Sequence, residues 1–380
     1  MSECPPFTAR GTSVAVSGAR RHAGGMDQAL RPALAAISAS QLGLFTRQQA
    51  LSSGYSGDEI RERIRPKGPW QVVRRGVYLL QTRWDAADDH DRSRWRDLAA
   101  HLDMATPHLL SHDSAARALA IPLIGARSQL IHVTRPGVGG SRTRHGVKHH
   151  LGRELPAEVI SPNGIAVTGL ARTALDLARE HGFTCGVAAV DNVLHRGVSP
   201  RMFELELARM TSWPRVRTAR SAFAFGDPRA ESPGESLTRI LLAELGFDDI
   251  DLQFPVPVDG GVRWCDLRVG CHVIEFDGKV KYLAPERGGV ARVDPAEVAW
   301  LDRQRDTDIA TLGLGISHVT WIDLFSRREA TLLRLRRDEA ATRRRFGPRL
   351  PDDLLRFAVA NPRRRTPPES PPHWCAAVGG

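Results

Sequence analysis

Asp266, Glu275 and Asp277 stand in a stretch that otherwise reads as two apolar strands around a turn, CDLRVGCHVIEFDGKVKY, residues 265–282. Lys279 and Lys281 continue the same two-residue spacing. Residues two apart in a strand lie about 6.6 Å apart and share a face. Val273, Glu275 and Asp277 are therefore expected on one face, and Ile274 and Phe276 on the other. Two ionised carboxylates at that separation repel by about 2.5 kcal/mol at an effective dielectric near 20. Asp266, from the neighbouring strand, adds to the repulsion. A divalent cation removes it, and Mg2+ or Mn2+ suits hard carboxylate, water and phosphate oxygens. Asp266, Glu275 and Asp277 are thus the expected metal ligands. An ammonium beside the ion, Lys279 or Lys281, can orient or deprotonate water or hold a phosphate.

The elements that must position these groups are legible around them. ESPGESLTRILLAELGF, residues 231–247, reads as a helix begun by Ser232 and Pro233 and stopped by Gly246. It carries Glu235, an outer carboxylate for the same site. DLQFPVPVDGGVRWCDLRVG reads as a hairpin turning at Asp259-Gly260. A later helix, AEVAWLDRQRDTDIATLG, directs Arg303 and Arg305 toward phosphate.

An acid followed by a strand bearing acid-x-Lys resembles the constellation of the PD-(D/E)XK nucleases. Residues 231–325 are similar to the family related to very-short-patch-repair endonucleases, within the restriction-endonuclease-like superfamily. ESPGESLTRILLAELGF, WCDLRV, VIEFDGKVKY and DRQRDTDIATLGLGISHVTWIDL carry the resemblance. It implies a mixed sheet with flanking helices and a metal-dependent endonuclease, with Asp266, Glu275, Asp277, Glu235 and a lysine as its catalytic set. The family strand reads E-x-D-G-x-x-H, and this chain has Lys281 in the last place, so either Lys279 or Lys281 serves as the amine. Arg305 matches the family's arginine. The alternative is a fold that kept the nuclease shape and lost the chemistry, since one fold hosts many functions.

Near the other end, residues 26–83 read as three helices followed by a hairpin. Leu30, Leu34 and Ile37 give the first helix its apolar face. Thr46 caps the second, which Gly54 ends, and Ser56 with Glu59 forms a capping box for the third. WQVVRRGVYLL is a hairpin turning at Arg75-Gly76. Arg61, Arg63, Arg65 and Lys67 on the third helix, with Arg74 and Arg75 on the hairpin, place charge where a winged helix-turn-helix contacts DNA. The competing reading is a solvated helix face. GLFTRQQALSSGYS and IRERIRPKGPWQVVRRGVYLL resemble the N-terminal domain of the AbiEi-type antitoxins of type IV toxin–antitoxin systems. That resemblance implies a DNA-binding regulatory module, a transcriptional regulator or antitoxin, with a cognate toxin as partner.

Residues 84–225 alternate helix and strand patterns without a catalytic signature. QLIHVTRPG and HGVKHHLG read as strands joined by the loop RPGVGGSRTRHG. His145, His149 and His150 fit no metal-ligand spacing, and His149 and His150 face opposite sides of a strand. Ser111-His112-Asp113 is not a triad, because neighbouring residues do not supply that geometry.

The chain as a whole is expected to be an α+β or α/β multidomain protein. Its 380 residues exceed one ordinary core. The layout is a leader over 1–25, a winged helix over 26–83, an α/β middle over 84–225, a restriction-endonuclease-like domain over 226–326 and a basic tail over 327–380. The tail has RRR at 343–345 and 363–365, and its Pro-rich end lacks the apolar content to order itself. A net charge of +10 attracts polyanions, DNA first among them. No apolar run is long enough to span a membrane, the start has no signal-peptide pattern, and the five cysteines form no C-x-x-C pair. A cytoplasmic protein with no membrane partner is expected.

Overall fold

The computed structural model describes residues 30–124, 129–152, 157–278, 304 and 306–363. Within them the chain is a mixed α/β protein with three sheets, and no described helix is long and apolar enough to cross a membrane. The leader lies outside the described residues, as do Lys279, Lys281, Arg303 and Arg305.

The first unit runs α1 (Pro32–Ser40), β1 (Phe45–Thr46), α2 (Arg47–Ser52), α3 (Gly57–Arg63), β2 (Trp70–Arg74) and β3 (Val77–Leu80), with the small sheet ordered β1-β3-β2. Both short helices begin in capping boxes, Thr46 with Gln49 and Ser56 with Glu59. Each box satisfies backbone N–H groups that a helix start otherwise leaves unpaired. Leu34, Phe45, Ala50, Tyr55, Ile60, Trp70 and Tyr78 fill the centre. The opposite side of the hairpin is not solvent. Val77 and Leu79 join Leu44 in the same apolar cluster as Trp95 and Leu98 of the next unit.

The middle unit runs α4 (Gln81–Ala86), α5 (Asp89–Asp103), β4 (Leu109–Leu110), α6 (His112–Ala118), β5 (Ile131–Arg135), β6 (Ser141–Arg144), β7 (Val147–Leu151), β8 (Val159–Ile160), β9 (Val167–Thr168), α7 (Leu170–His181), α8 (Phe183–His195), α9 (Pro200–Arg209) and α10 (Val216–Phe225). Its six strands are ordered β6-β7-β5-β4-β9-β8. One segment departs from the sequence reading. Residues 141–144 read as loop, yet they form β6, antiparallel to β7. The connection is the two-residue turn His145-Gly146, both at positive φ, which matches the twist of a hairpin.

The third unit runs α11 (Pro233–Glu244), β10 (Ile250–Val258), β11 (Gly261–Val269), β12 (His272–Asp277), α12 (described over 306–311), β13 (Gly315–Thr320), α13 (Trp321–Phe325), α14 (Arg328–Phe346) and α15 (Asp352–Ala360). Its sheet is ordered β10-β11-β12-β13. The first three strands are antiparallel and β13 runs parallel to β12. The β10–β11 hairpin turns at Asp259-Gly260, with Gly260 at φ +83°. Alternation along β12 sends Ile274 and Phe276 into a cluster with Leu237, Leu241 and Val319, and Val273 into another with Phe254, Val256 and Leu314. Cys265 and Cys271 are small core residues of that second cluster.

Of the expected tail, the described residues 327–363 pack onto the third unit, and residues 364–380 lie outside the described residues. α14 buries Leu335 in the first of these clusters, and Leu350 and Leu354 complete the second. α14 buries Thr331, Leu335 and Thr342, while Arg336, Arg337, Arg343, Arg344 and Arg345 are exposed and Arg334 donates to His318 O at 2.9 Å.

Candidate functional site

Ser232 accepts from the backbone N–H of Glu235 at the start of α11, at 3.2 Å. The side chain of Glu235 folds back over the same turn. Its carboxylate accepts from the Glu231 backbone N–H at 2.9 Å, from the Ser232 hydroxyl at 2.7 Å and from Gln253 Nε2 at 2.9 Å. Gly234 lets the turn lie against β12, since a Cβ there would collide with the Phe276 ring. Gln253 sits in β10 at φ +55°, a left-handed conformation uncommon for a side-chain-bearing residue.

Asp266 of β11 accepts from the Phe276 backbone N–H at 2.9 Å. Leu267 pairs with Ile274, so one further step of that register sets Asp266 across from Glu275. Glu235, Gln253 and Glu275 are each buried. Burial, and next the charge of Asp266, push the Glu235 carboxyl up to about 7. Carboxylates from α11, β11 and β12 are thereby gathered at one end of the sheet.

Asp277 is occupied differently. Its Oδ2 accepts from His318 Nδ1 at 2.7 Å, while His318 Nε2 donates to Asp306 at 3.1 Å. The bond to Asp277 does most to raise the imidazole to about 9, against the opposing effect of burial. His318 is the residue of this candidate site that sequence reading missed. Its signal was the parallel partner position of Glu275 on β13, which no sequence spacing reveals.

A cleft of about 780 Å³ opens beside Gln253, bounded by β10, α15 and the end of α8. Arg363 reaches into this region, bonding Gln253 Oε1 and pairing with Glu231 at 2.7 Å.

The basic residues expected to meet DNA divide into two groups. Arg61 pairs with Asp58 and Arg65 with Glu62, yet both remain largely exposed, as do Lys67 and Arg75. Arg63 lies over the rings of Tyr55 and Trp70 and donates to Glu59 O at 3.3 Å. Arg74 points toward the middle unit, where Nε meets Asp103 at 2.8 Å and Nη1 reaches His145 O.

The histidines of the middle unit also regroup. His149 accepts from Arg135 Nε, whereas His150 meets His132 at 3.1 Å and stacks on His112 with ring centroids 3.7 Å apart. Among the described residues, these three imidazoles form a group able to converge on one ion, with ligand atoms within 4.8 Å of one another. Burial holds all three below the usual histidine range, His150 at about 4. Ser111 Oγ does lie 3.0 Å from His112 Nδ1, but Ser111 is wholly enclosed and has no room to attack a substrate.

No family model matches the chain. It is similar to two proteins of Mycobacterium tuberculosis described as uncharacterized, one from strain CDC 1551 / Oshkosh and one from strain ATCC 25618 / H37Rv. Each is 29% identical over 175 residues, 44% of this chain. The chain spans 62% of the length of these curated relatives.

Proposed function

We propose that the protein binds duplex DNA through its first unit and hydrolyses phosphodiester bonds at the acidic end of its third sheet, as a metal-dependent endonuclease of PD-(D/E)XK type. One observation carries the reading. Glu235 and Asp266, on different elements and 31 positions apart in the numbering, come close enough that the charge of one raises the pKa of the other, with buried Glu275 across the register. A site built for stability alone would not gather carboxylates in an interior. The helix–strand–strand–strand–helix–strand order, with only the last pair parallel, supports a restriction-endonuclease-like sheet.

The donor set fits a hard cation, being carboxylate oxygens carried on adjacent strands. Asp266 and Glu275 would hold Mg2+ or Mn2+, which when bound polarises the scissile phosphate and activates a water. Asp277 then serves chiefly to hold His318 in its protonated form, so that a fixed positive charge sits beside the acids. Gln253 fixes the Glu235 carboxylate through Nε2. Lys279 and Lys281 remain the amines proposed for the water or the phosphate.

For the first unit, the order α1-β1-α2-α3-β2-β3 and the β1-β3-β2 sheet support a winged helix-turn-helix. Arg61, Arg65, Lys67 and Arg75 are its proposed phosphate contacts, and its work on DNA implies the cytoplasm. A second reading, an antitoxin-like regulator with a cognate toxin and an inactive nuclease-like unit, is favoured by the pairing of Asp277 with His318, which supplies a cation from the protein itself.

The deciding experiment incubates the tag-free protein with supercoiled plasmid and Mg2+ or Mn2+. Nicking that Asp266→Ala abolishes supports hydrolysis. DNA binding with no cleavage under either ion supports the regulator.

A further inference from the structure

We propose that His112, His132 and His150 form a binding site for a divalent transition metal, typified by Zn2+, with a fourth position left for water or an oxygen anion. The site belongs to the middle unit and is separate from the acidic end of the third sheet.

Three elements converge on it. His132 lies on β5 and His150 on β7, parallel strands in which Thr134 pairs with His150. His132 is two residues before Thr134, so both imidazoles leave the same face of the sheet. His112 opens α6 at φ +48°, a left-handed conformation unusual for a side-chain-bearing residue. That conformation brings its ring over His150, at 14° between planes. Strained backbone of this kind persists where surrounding structure demands it and collects at functional sites.

The chemistry of the set selects the ion. Imidazoles without thiolate suit Zn2+, Ni2+ or Cu2+ and are poor ligands for Mg2+. With Zn–N bonds of about 2.0–2.1 Å, two ligand nitrogens on one tetrahedral ion lie about 3.4 Å apart. His132 Nδ1 and His150 Nε2 are 3.1 Å apart, and the full set of ligand atoms falls within 4.8 Å. Because the His112 and His150 rings are stacked nearly parallel, one of them must turn out of the stack for its in-plane lone pair to meet the ion. Ser111 Oγ meets His112 Nδ1 at 3.0 Å, so Nε2, which lies 3.8 Å from Asp176 Oδ1, is the ring nitrogen that would turn to the ion. Ser111 is itself bonded by Thr134 Oγ1 at 2.8 Å, so its hydroxyl is held in place.

The group has the features of a three-ligand site. His112 and His150 line a cavity of about 500 Å³, shared with Arg172, Arg179 and Trp213. Both guanidiniums lie over the Trp213 ring, at 4.6 and 4.8 Å, and both bond Asp176. Three protein ligands beside such a cavity leave the coordination position that a closed structural site lacks. A core histidine that only fills space needs one satisfied hydrogen bond, not two further imidazoles within stacking distance.

The test uses the full, tag-free chain, stripped with EDTA and dialysed against Zn2+, with Co2+ as a spectroscopic probe. The expected result is about one Zn2+ per chain and the intense visible bands of four-coordinate Co2+. His132→Gln and His150→Gln should lose both, His149→Gln should keep both, and Ser111→Ala should weaken binding by roughly 10-fold. Asp266→Asn should bind Zn2+ as the parent does, which separates this site from the acidic one. Should one histidine variant fail to fold, the other variant and the parent decide, through the Co2+ spectrum and a melting temperature raised by Zn2+ but not Mg2+. The proposal is overturned if the parent takes up no Zn2+, or if the histidine variants bind it as well as the parent does.

Discussion

Arg239 on α11 places Nη2 2.8 Å from Asp191 Oδ2 on α8, and both side chains are almost wholly enclosed. The guanidinium also donates to Phe225 O at 2.6 Å and lies 4.2 Å from the Phe225 ring centroid. This pair joins the third unit to the second. A boundary near residue 226 is therefore a change of sheet, not a flexible joint. Removing one partner strands the other charge in a dry interior. Asp191→Ala is expected to cost about 3–5 kcal/mol, read as a lower urea midpoint, with the second and third units losing stability together.

Asp266→Asn keeps an acceptor for the Phe276 N–H and removes a charge from beside Glu235. In metal-free buffer the variant should gain about 1–2 kcal/mol from relieved repulsion while losing any plasmid nicking. A variant that is less stable without metal would show that the carboxylate is compensated inside the protein.

Leu350 and Leu354 pack against Phe254, Val256 and Val273. Truncation after Phe346 should therefore lower the melting temperature by several degrees, because each leucine contributes about 1.5–3 kcal/mol on burial. Leu354→Ala alone should cost about 2–3 kcal/mol. An unchanged melt in both would restore the sequence expectation of a dispensable tail.

His272 is enclosed between β13 and α14, with Nδ1 at 2.8 Å from Thr342 Oγ1 and Nε2 at 3.0 Å from Ser317 Oγ. Burial lowers it from 6.5 to about 4. Between those values the unfolded chain binds the proton and the folded one does not, so stability falls as pH drops from about 6.5 to about 4. The loss approaches about 3 kcal/mol at the acid end. Denaturant melts across this window should include that contribution beside those of the other depressed histidines, and His272→Gln should reduce the slope by its share without abolishing it.

Arg75 is exposed, whereas Arg74 is engaged with Asp103 and His145 O. Arg75→Ala and Arg61→Ala should each lower the salt slope of DNA binding by about one. Arg74→Ala should leave that slope unchanged. Equal effects of Arg74 and Arg75 on the slope would return both to the phosphate backbone.

Local features were legible in the sequence because local chemistry determines them. The Thr46 and Ser56 caps, the Asp259-Gly260 turn and the alternation of Val273, Ile274 and Phe276 depend on residues within a few positions of one another. The same holds for the acidic strand, whose spacing shows as soon as β12 is read. Long-range pairing was not legible. His318 meets Asp277 across 41 positions, and His132 meets His150 only because β5 and β7 lie side by side. His112 arrives from before either strand, on a left-handed residue that no spacing rule anticipates. The arginine-rich composition after residue 326 likewise concealed Leu335, Leu350 and Leu354, whose burial depends on the surface that β10, β12 and β13 offer them. Sequence by itself determined most of the helices and strands and the residue types they carry, β6 being an exception that exists only through its pairing with β7. Tertiary structure decided which of those residues meet, because the contacts that desolvate a carboxylate or gather imidazoles are made between segments whose separation along the chain carries no record of their distance in space.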